Sequence, residues 1–228
     1  KTEVNVPIPI DTKVESVELL LENEAQKIYL TGLELVDSGV LDANNLRSGV
    51  FLYDAKQTNV SETDKIGEPT KASVVSGNHL YSVYNGKLSV YEIFETDTQL
   101  VTELSGIGNA VDVICINDGD TLAITSRTNG AYFVDISNPV DPVIVSHYDT
   151  LELATGISAY GNYVFICSRY FGIEILDVSD PQKPQYISQI YSNGKEYFSC
   201  DYYNGYLYIS AWGQQEIDVY DLIDYDSP

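Results

Sequence analysis

Two arginines stand at matching places in the sequence and have the chemistry to hold a ligand. Arg127 and Arg169 each follow a serine and lie 42 residues apart, and Tyr170 and Phe171 come directly after the second arginine. A guanidinium group forks onto a carboxylate, while aromatic rings supply flat apolar faces. This set could bind a carboxylate, or stack on a sugar or a peptide. The alternative is that the arginines only neutralise neighbouring acids.

Three further residues occupy the corresponding loop in other parts of the chain. Trp212 is the only tryptophan, Tyr84 takes the same place in an earlier segment, and Arg47 ends a long insertion at about Leu33–Ser48. Long insertions on one face of a repeat protein are often functional. Together with the residues above, these form the predicted ligand-binding set.

Two carboxylates are candidates for a different kind of site. Asp112 and Asp201 fall on segments predicted to be innermost strands, so both could face a central channel. A channel carboxylate binds a cation or, with partners, does acid–base chemistry, whereas the structural alternative is a hydrated channel lining. His79 and His147 have no ligand spacing, and the three cysteines form no metal or disulfide pattern. We therefore predict no metal site and no cofactor, with a channel calcium ion as the alternative.

The familiar catalytic motifs are missing from the sequence. It contains no Gly-x-Ser-x-Gly elbow, no phosphate-binding loop and no dinucleotide fingerprint. We therefore predict that the protein is not an enzyme. The competing hypothesis is a glycan-active hydrolase in which Asp112, Asp201 and a third acid act from the channel.

The composition limits the partners of the protein. Its 228 residues include 12 Lys and Arg and 34 Asp and Glu, which gives a net charge of −22. Nucleic acids and anionic membranes bind clustered positive charge, so neither is an expected partner. No window approaches the ~20 apolar residues of a membrane-spanning helix, so no membrane insertion is expected. The 19 tyrosines and the few lysines favour an extracellular or cell-surface location.

A repeat of about 42 residues organises the chain. Asp135–Pro142 and Asp177–Pro184 share the pattern Asp-x-Ser-x-Pro, in which Asp and Pro are expected to build a turn, and Asp221–Pro228 is a degraded third copy. Gly-Asn, Asn-Gly and Asp-Gly dipeptides between short β-rich runs mark tight hairpins. Each repeat therefore contains four short strands, the signature of a β-propeller blade.

The repeat predicts an all-β fold, a single β-propeller domain of residues 1–228 with five four-stranded blades. The blades are expected at about 11–70, 71–110, 111–155 and 156–197, and the last is built from 198–228 plus 1–10. In this arrangement Lys1–Ile10, an apolar alternating run, is the outermost strand of the last blade and closes the ring. The alternative is one part of a longer propeller of about six to eight blades.

The segment Gly172–Pro181 reads Gly-Ile-Glu-Ile-Leu-Asp-Val-Ser-Asp-Pro. This pattern resembles the LVIVD repeat of bacterial and archaeal β-propeller proteins, which are secreted or lie at the cell surface, and the resemblance extends over about Ala110–Tyr220. Upstream, Glu92 replaces the usual aspartate, and Lys56–Glu68 lacks the Ser-x-Pro turn. The resemblance implies a propeller that is often exported, and it implies no particular activity.

In a propeller, the turns between the second and third strands share one face with the connections between blades. That face is the usual place for a ligand. We therefore predict a binding or interaction module that uses this face to hold a protein, a peptide or a glycan. The alternative is a structural subunit of a surface layer or fibre, which assembles with itself or with blades of a longer chain, because fold alone does not decide function.

Overall fold

The computed structural model describes residues 50–53, 62–66, 68–94 and 97–222. Its strands belong to two compact units, and the boundary between them falls after Gly67. In the first unit, β1 (Val50–Tyr53) and β2 (Glu62–Ile66) form an antiparallel pair.

The second unit consists of four antiparallel sheets, numbered I to IV in chain order, whose strands follow one another across each sheet. Sheet I holds β3 (Ala72–Ser76), β4 (His79–Tyr84), β5 (Lys87–Ile93) and β6 (Thr98–Ser105). Sheet II holds β7 (Asp112–Ile116), β8 (Thr121–Thr125), β9 (Ala131–Asp135) and β10 (Val143–Tyr148). Sheet III holds β11 (Ala154–Tyr160), β12 (Tyr163–Ser168), β13 (Gly172–Asp177) and β14 (Gln185–Ile190). Sheet IV holds β15 (Tyr197–Tyr203), β16 (Tyr206–Ala211) and β17 (Glu216–Asp221). The predicted repeat of four-stranded antiparallel sheets is confirmed in sheets I to III.

Asparagine and glycine shape the tight hairpins inside the sheets. Between β4 and β5, Asn85 and Gly86 have φ angles of 48° and 83°. Between β15 and β16, Asn204 and Gly205 have φ angles of 51° and 88°. Two successive left-handed residues give a turn whose twist matches the flanking strands, which is why these dipeptides mark the hairpins.

Aspartates fix the wider connection from the third to the fourth strand in sheets II and III. The carboxylate of Asp135 accepts a hydrogen bond from the backbone nitrogen of Ser137 at 2.9 Å, and Asp177 accepts one from Ser179 at 2.8 Å. Hydrogen bonds from Ser137 also lower the pKa of Asp135. The predicted turn-building role of both aspartates is confirmed.

Hydrophobic clusters fill the spaces between neighbouring sheets. Their fully buried members include Leu88 and Ile124 between sheets I and II, Phe133 and Ile166 between sheets II and III, and Ile175 and Leu207 between sheets III and IV. The first strands of the sheets, β3, β7, β11 and β15, contact one another in succession. They are the innermost strands, as the repeat predicted, and the sheets stack face to face in the manner of propeller blades.

Side chains link each innermost strand to the next sheet. An edge strand leaves backbone N–H and C=O groups without partners inside its own sheet. Two such groups are paired across the sheets, because Ile157 N donates to Asp112 Oδ2 at 3.2 Å and Tyr202 N donates to Ser158 Oγ at 3.0 Å. Ser76 Oγ of β3 donates to Gly119 O, in the turn after β7, at 3.0 Å. Polar residues on the inner strands therefore hold the sheets in register.

Sheet IV ends at β17, which has no further strand beside it among the described residues. Lys1–Ile10, the predicted outermost strand of this sheet, lies outside the described residues, and so does Arg47. The five-blade ring, its closure and the single domain over residues 1–228 therefore stay predictions. In the described part of the chain, no helix has the length and apolar character needed to cross a membrane.

Candidate functional site

The turns between second and third strands meet the connections between sheets at one end of the second unit, called here the loop face. Ala154 N donates a hydrogen bond to Arg127 O at 2.9 Å, and Tyr197 N donates one to Arg169 O at 3.0 Å. Both arginines have positive φ angles, 32° and 28°, which residues with a Cβ rarely adopt. Arg127 and Arg169 thus hold equivalent backbone positions in sheets II and III.

An aromatic patch on the loop face is formed by Arg169, Tyr170, Phe198 and Trp212. The guanidinium carbon of Arg169 lies 4.6 Å from the ring centroid of Tyr170 and 6.0 Å from that of Phe198. Phe198 packs edge-on against Trp212, with ring centroids 5.1 Å apart and an interplanar angle of 60°. Cation–π attraction favours the first two contacts, and the ring quadrupoles favour the third. The structure therefore brings together three predicted site residues through one that was not predicted.

An acidic residue, Glu196, holds Arg169 in place. Nε of Arg169 donates a hydrogen bond to the Glu196 carboxylate, whose side chain is only 13% exposed. This bond raises the pKa of Arg169, and Nη2 of the same guanidinium lies 3.5 Å from the Tyr170 hydroxyl. Because both partners are charged and partly desolvated, the pair fixes the plane of the guanidinium group.

Three hydrogen bonds position the turn that carries Tyr170. Ser192 Oγ donates to the Tyr170 carbonyl, and the Gln189 amide donates to the Phe171 carbonyl. The carboxylate of Glu152 accepts a hydrogen bond from the Tyr170 backbone nitrogen at 3.1 Å. Connections on both sides of sheet III therefore hold the backbone of this turn, while half of each aromatic side chain stays open to solvent.

Trp212 begins a single 3-10 turn between β16 and β17. Its backbone nitrogen donates to the carbonyl of Glu196 at 2.9 Å, so the turn is tied to the same residue that pairs with Arg169. The tryptophan side chain is 66% exposed. The backbone of Trp212 is thus fixed while its ring is presented to solvent.

Of the other predicted ligand-binding residues, Arg127, Tyr84 and Phe171 are not part of this patch. Arg127 is half-buried, and its guanidinium makes no ion pair or side-chain hydrogen bond with any residue that the structure describes. Tyr84, at the end of β4, is 41% exposed, and Phe171 is 49% exposed. Arg47 lies outside the described residues.

Sequence reasoning missed Glu196 and Phe198, which connect Arg169 to Trp212. The signal in the sequence was an acidic residue directly before the segment that forms β15, with an aromatic residue two positions later. Their contact with Arg169 depends on how sheets III and IV pack, and the spacing of the repeat does not report that.

The predicted channel carboxylate Asp112 has a structural role. Its two oxygens accept hydrogen bonds from Val113 N at 2.9 Å and Ile157 N at 3.2 Å, the second across the boundary between sheets II and III. Burial raises the pKa of Asp112. Asp112 is thus engaged with the backbone of two inner strands.

The second predicted channel carboxylate, Asp201, is exposed and lies at a different level from Asp112 along the direction of the inner strands. Asp112 pairs with Thr125, two residues before Arg127, whereas Asp201 pairs with Tyr208, four residues before Trp212. Because Arg127 and Trp212 mark the same level, the carboxylates differ by two residues, or roughly 7 Å, along the strands. Among the residues in the described ranges, no group of three or more His, Cys, Asp or Glu could hold a metal ion.

The repeat in sheets II and III matches a known family of repeats. The family model of the LVIVD repeat matches residues 118–150 and 153–191. The chain carries LVIVD repeats. The first match begins in the β7–β8 turn and ends after β10, and the second spans all of sheet III. The sequence-based resemblance is confirmed. A search of the curated proteins finds no relative of this sequence.

Solved structures similar to this LVIVD-repeat chain share its fold. The computationally designed Ika4 protein matches with a TM-score of 0.56 at 12% identity, covering 71% of this chain and 98% of the Ika4 chain. The β-propeller domain of Cps50 (Swd1) from Myceliophteria thermophila matches with a TM-score of 0.56 at 12% identity, covering 68% of this chain and 51% of that one. The designed Ika8 protein has a TM-score of 0.57 at 13% identity, covering 72% and 50%. The chain thus spans about half the length of the last two, and all three matches concern the fold alone.

Proposed function

We propose that this LVIVD-repeat chain is a non-catalytic binding module that holds its ligand on the loop face, at the aromatic patch. The observation that carries the proposal is the row of contacts from Tyr170 through Arg169 and Phe198 to Trp212. Exposed aromatic rings beside an arginine are the side chains that dominate the binding energy of protein interfaces. The backbone beneath them is already fixed by hydrogen bonds, so little conformational entropy is lost when a ligand binds.

The ligand is a protein, a peptide or a glycan, met outside the cell or at its surface. The tyrosine-rich, lysine-poor composition and the net charge of −22 support this location and argue against nucleic acid. The proposal assigns no reaction. Asp112 supports that choice, because its carboxylate oxygens are occupied by backbone N–H groups of two inner strands.

The proposed module is a five-bladed ring whose last blade is closed by Lys1–Ile10. Sheet IV has three strands where sheets I to III have four, and β17 is its edge among the described residues. An outer strand would pair with the backbone groups at this edge. Ile217 and Val219, two residues apart on β17, are 68% and 53% exposed, so one face of this strand is also open. Removing Lys1–Ile10 tests this closure.

The proposed function is tested by measuring how variants of exposed residues bind a panel of probes. The panel contains neutral oligosaccharides, uronic-acid oligosaccharides and glutamate-rich peptides, each immobilised for biolayer interferometry. Trp212→Ala and Tyr170→Ala are expected to weaken binding of at least one probe by about tenfold, the loss typical of a central interface residue. Tyr203→Ala is the matched control, because this ring is 71% exposed at the β15–β16 hairpin, away from the loop face. Equal binding by both patch variants and wild type would show the proposal to be wrong.

A further inference from the structure

We infer that the ligand of the aromatic patch is a neutral sugar ring stacked on Trp212, and that anionic groups are excluded. The inference rests on the proposed binding function and narrows it to one chemical class. It follows from the exposure of the rings, from the charges beside them, and from the donors and acceptors that remain.

The exposed rings offer a flat apolar surface of the size of a sugar ring. Trp212 is 66% exposed and Tyr170 is 49% exposed. Phe198 contacts the tryptophan in a T-shaped arrangement, at 5.1 Å and 60°, and the 66% exposure of Trp212 leaves most of its indole open to solvent. A pyranose has C–H groups on its ring faces and hydroxyls around its rim, so it needs an aromatic plane with polar groups at the edge.

The charges of the patch disfavour an anion. The single guanidinium of Arg169 is already hydrogen-bonded to Glu196, and a second carboxylate, that of Glu152, accepts a hydrogen bond from the neighbouring Tyr170 backbone nitrogen at 3.1 Å. A ligand carboxylate on the remaining N–H groups of Arg169 would lie beside the carboxylate of Glu196, whose side chain is 13% exposed. Two carboxylates close together at a partly desolvated site repel each other, which is unfavourable.

The same arrangement disfavours a cation. Arg169 already lies over the ring of Tyr170 at 4.6 Å and toward Phe198 at 6.0 Å, so the positive charge that these rings attract is part of the protein. A ligand cation would be brought beside that guanidinium group.

The paired groups still offer what sugar hydroxyls require. Arg169 uses Nε for Glu196, and a guanidinium has further N–H donors in a fixed plane. The Glu196 carboxylate has acceptor sites beyond the one that this bond uses, and Tyr170 adds a hydroxyl. Donors and acceptors therefore stand side by side at the edge of an apolar platform, as in sites for uncharged polar ligands.

The single tryptophan provides a direct measurement. Titrations of the whole chain with cellotetraose and with mannotetraose, followed by tryptophan emission, are compared with tetragalacturonic acid and a glutamate-rich peptide. We expect at least one neutral tetrasaccharide to shift the emission of Trp212, with an affinity that stays within about twofold between low salt and about 0.5 M NaCl. Calorimetry should show about a tenfold loss of affinity for Trp212→Ala and a smaller loss for Phe198→Leu. Tyr203→Ser, at an exposed position outside the patch, should bind as the wild type does.

The outcomes separate this inference from the proposed function. Emission shifts caused only by the anionic probes, and lost at high salt, would overturn the neutral-sugar assignment and leave the binding function of the patch intact. Sugar binding that Trp212→Ala does not weaken, or no response to any probe, would overturn both.

Discussion

Glu174 is an acidic residue in a place where a polar side chain needs a structural reason. Its side chain is fully buried in sheet III. The carboxylate accepts hydrogen bonds from the Tyr148 hydroxyl at 2.8 Å, the Leu151 backbone nitrogen at 2.9 Å and the Ser168 hydroxyl. Two of these donors belong to β10 and the connection that follows it, so Glu174 fastens sheet II to sheet III just below the loop face.

Replacing Glu174 with alanine is expected to lower the free energy of unfolding by about 3 to 5 kcal/mol, because three donors would lose a buried acceptor. Urea denaturation measures the change. Glu152→Ala is the matched control, since it removes a carboxylate with one hydrogen bond at the half-buried edge of the same connection. A loss of less than about 1 kcal/mol for Glu174→Ala would contradict the role assigned to this carboxylate.

The burial of Tyr81 makes the free energy of unfolding depend on pH in the alkaline range. Burial, with smaller contributions from Cys115 and Asp120, raises the pKa of Tyr81 from 10.0 to about 12, and its ring is 1% exposed. The unfolded chain therefore releases this proton first, so the contribution is complete below pH 10 and is lost as the pH rises toward about 12. The difference between a pKa of 10.0 and one of about 12 corresponds to at most about 3 kcal/mol in the free energy of unfolding.

Comparison of wild type with Tyr81→Phe isolates this effect. The free energy of unfolding of the wild type should fall more steeply between pH 10 and about 12 than that of Tyr81→Phe. Denaturant titrations at several alkaline pH values give both slopes, and Tyr203→Phe, at an exposed position, is the control. Parallel slopes for wild type and Tyr81→Phe would refute the shifted pKa.

At the scale of single residues, the sequence predicts chemistry that is local and misses contacts between sheets. The turn-building role of Asp135 and Asp177 followed from spacing alone, because each bonds a backbone group two residues away. Glu196 is 27 residues from Arg169, and Phe198 reaches it only through the packing of sheets III and IV. No periodicity in the sequence encodes which side chains meet across that boundary.

At the scale of elements, glycine is required where the last strand of a sheet passes close to the start of the third. At Gly172, with φ of 109°, a Cβ would lie 2.9 Å from Ser192 N and closer still to the Ile190 carbonyl. Gly130 has the equivalent relation to the end of β10 in sheet II. The strands of each sheet approach closely there because no side chain separates them.

Gly172→Ala is expected to destabilise the protein by about 3 kcal/mol or more, since both the left-handed backbone and the steric overlap oppose the new methyl group. Gly161→Ala is the matched control, because Gly161 has φ of 57° but a Cβ added there would meet no atom within 4 Å. It should cost only about 1 kcal/mol, which is the cost of the left-handed conformation. Thermal unfolding of both variants checks this order, and equal losses would show that steric overlap at Gly172 is unimportant.

The repeat predicts strands better than it predicts the turns that interrupt it. Five innermost strands are expected from the repeat, and the four that fall on described residues are present, because alternating apolar residues and hairpin dipeptides are local signals. The first one, expected at Ser16–Leu21, lies outside the described residues. The β7–β8 connection was expected as a simple hairpin, yet Asn117–Gly119 form a 3-10 turn in which Asn117 and Asp118 both have positive φ. The two extra residues in that turn change its geometry, and propensity alone does not choose between the two forms.

At the scale of the whole molecule, the edge of sheet IV decides whether the chain is self-contained. An outermost strand is present in sheets I to III, where it covers the third strand. The backbone edge of β17 has no neighbouring strand among the described residues, and such an edge promotes pairing with other chains. Closure by Lys1–Ile10 and assembly with a second molecule are therefore competing ways to cover the same edge.

Under the proposed closure, deleting Lys1–Ile10 is expected to lower the free energy of unfolding by about 3 kcal/mol, because sheet IV would lose its outer strand and the apolar burial that this strand provides. It should also cause concentration-dependent association in size-exclusion chromatography with light scattering, since the edge would be free to pair. A synthetic peptide of residues 1–10, added in trans, should restore the monomer, whereas a scrambled peptide of the same composition should not. If the deletion changes neither stability nor association, Lys1–Ile10 does not close the ring, and β17 is covered by other blades or by a partner chain. Association of the undeleted chain at low concentration would instead favour a structural subunit that assembles through this edge.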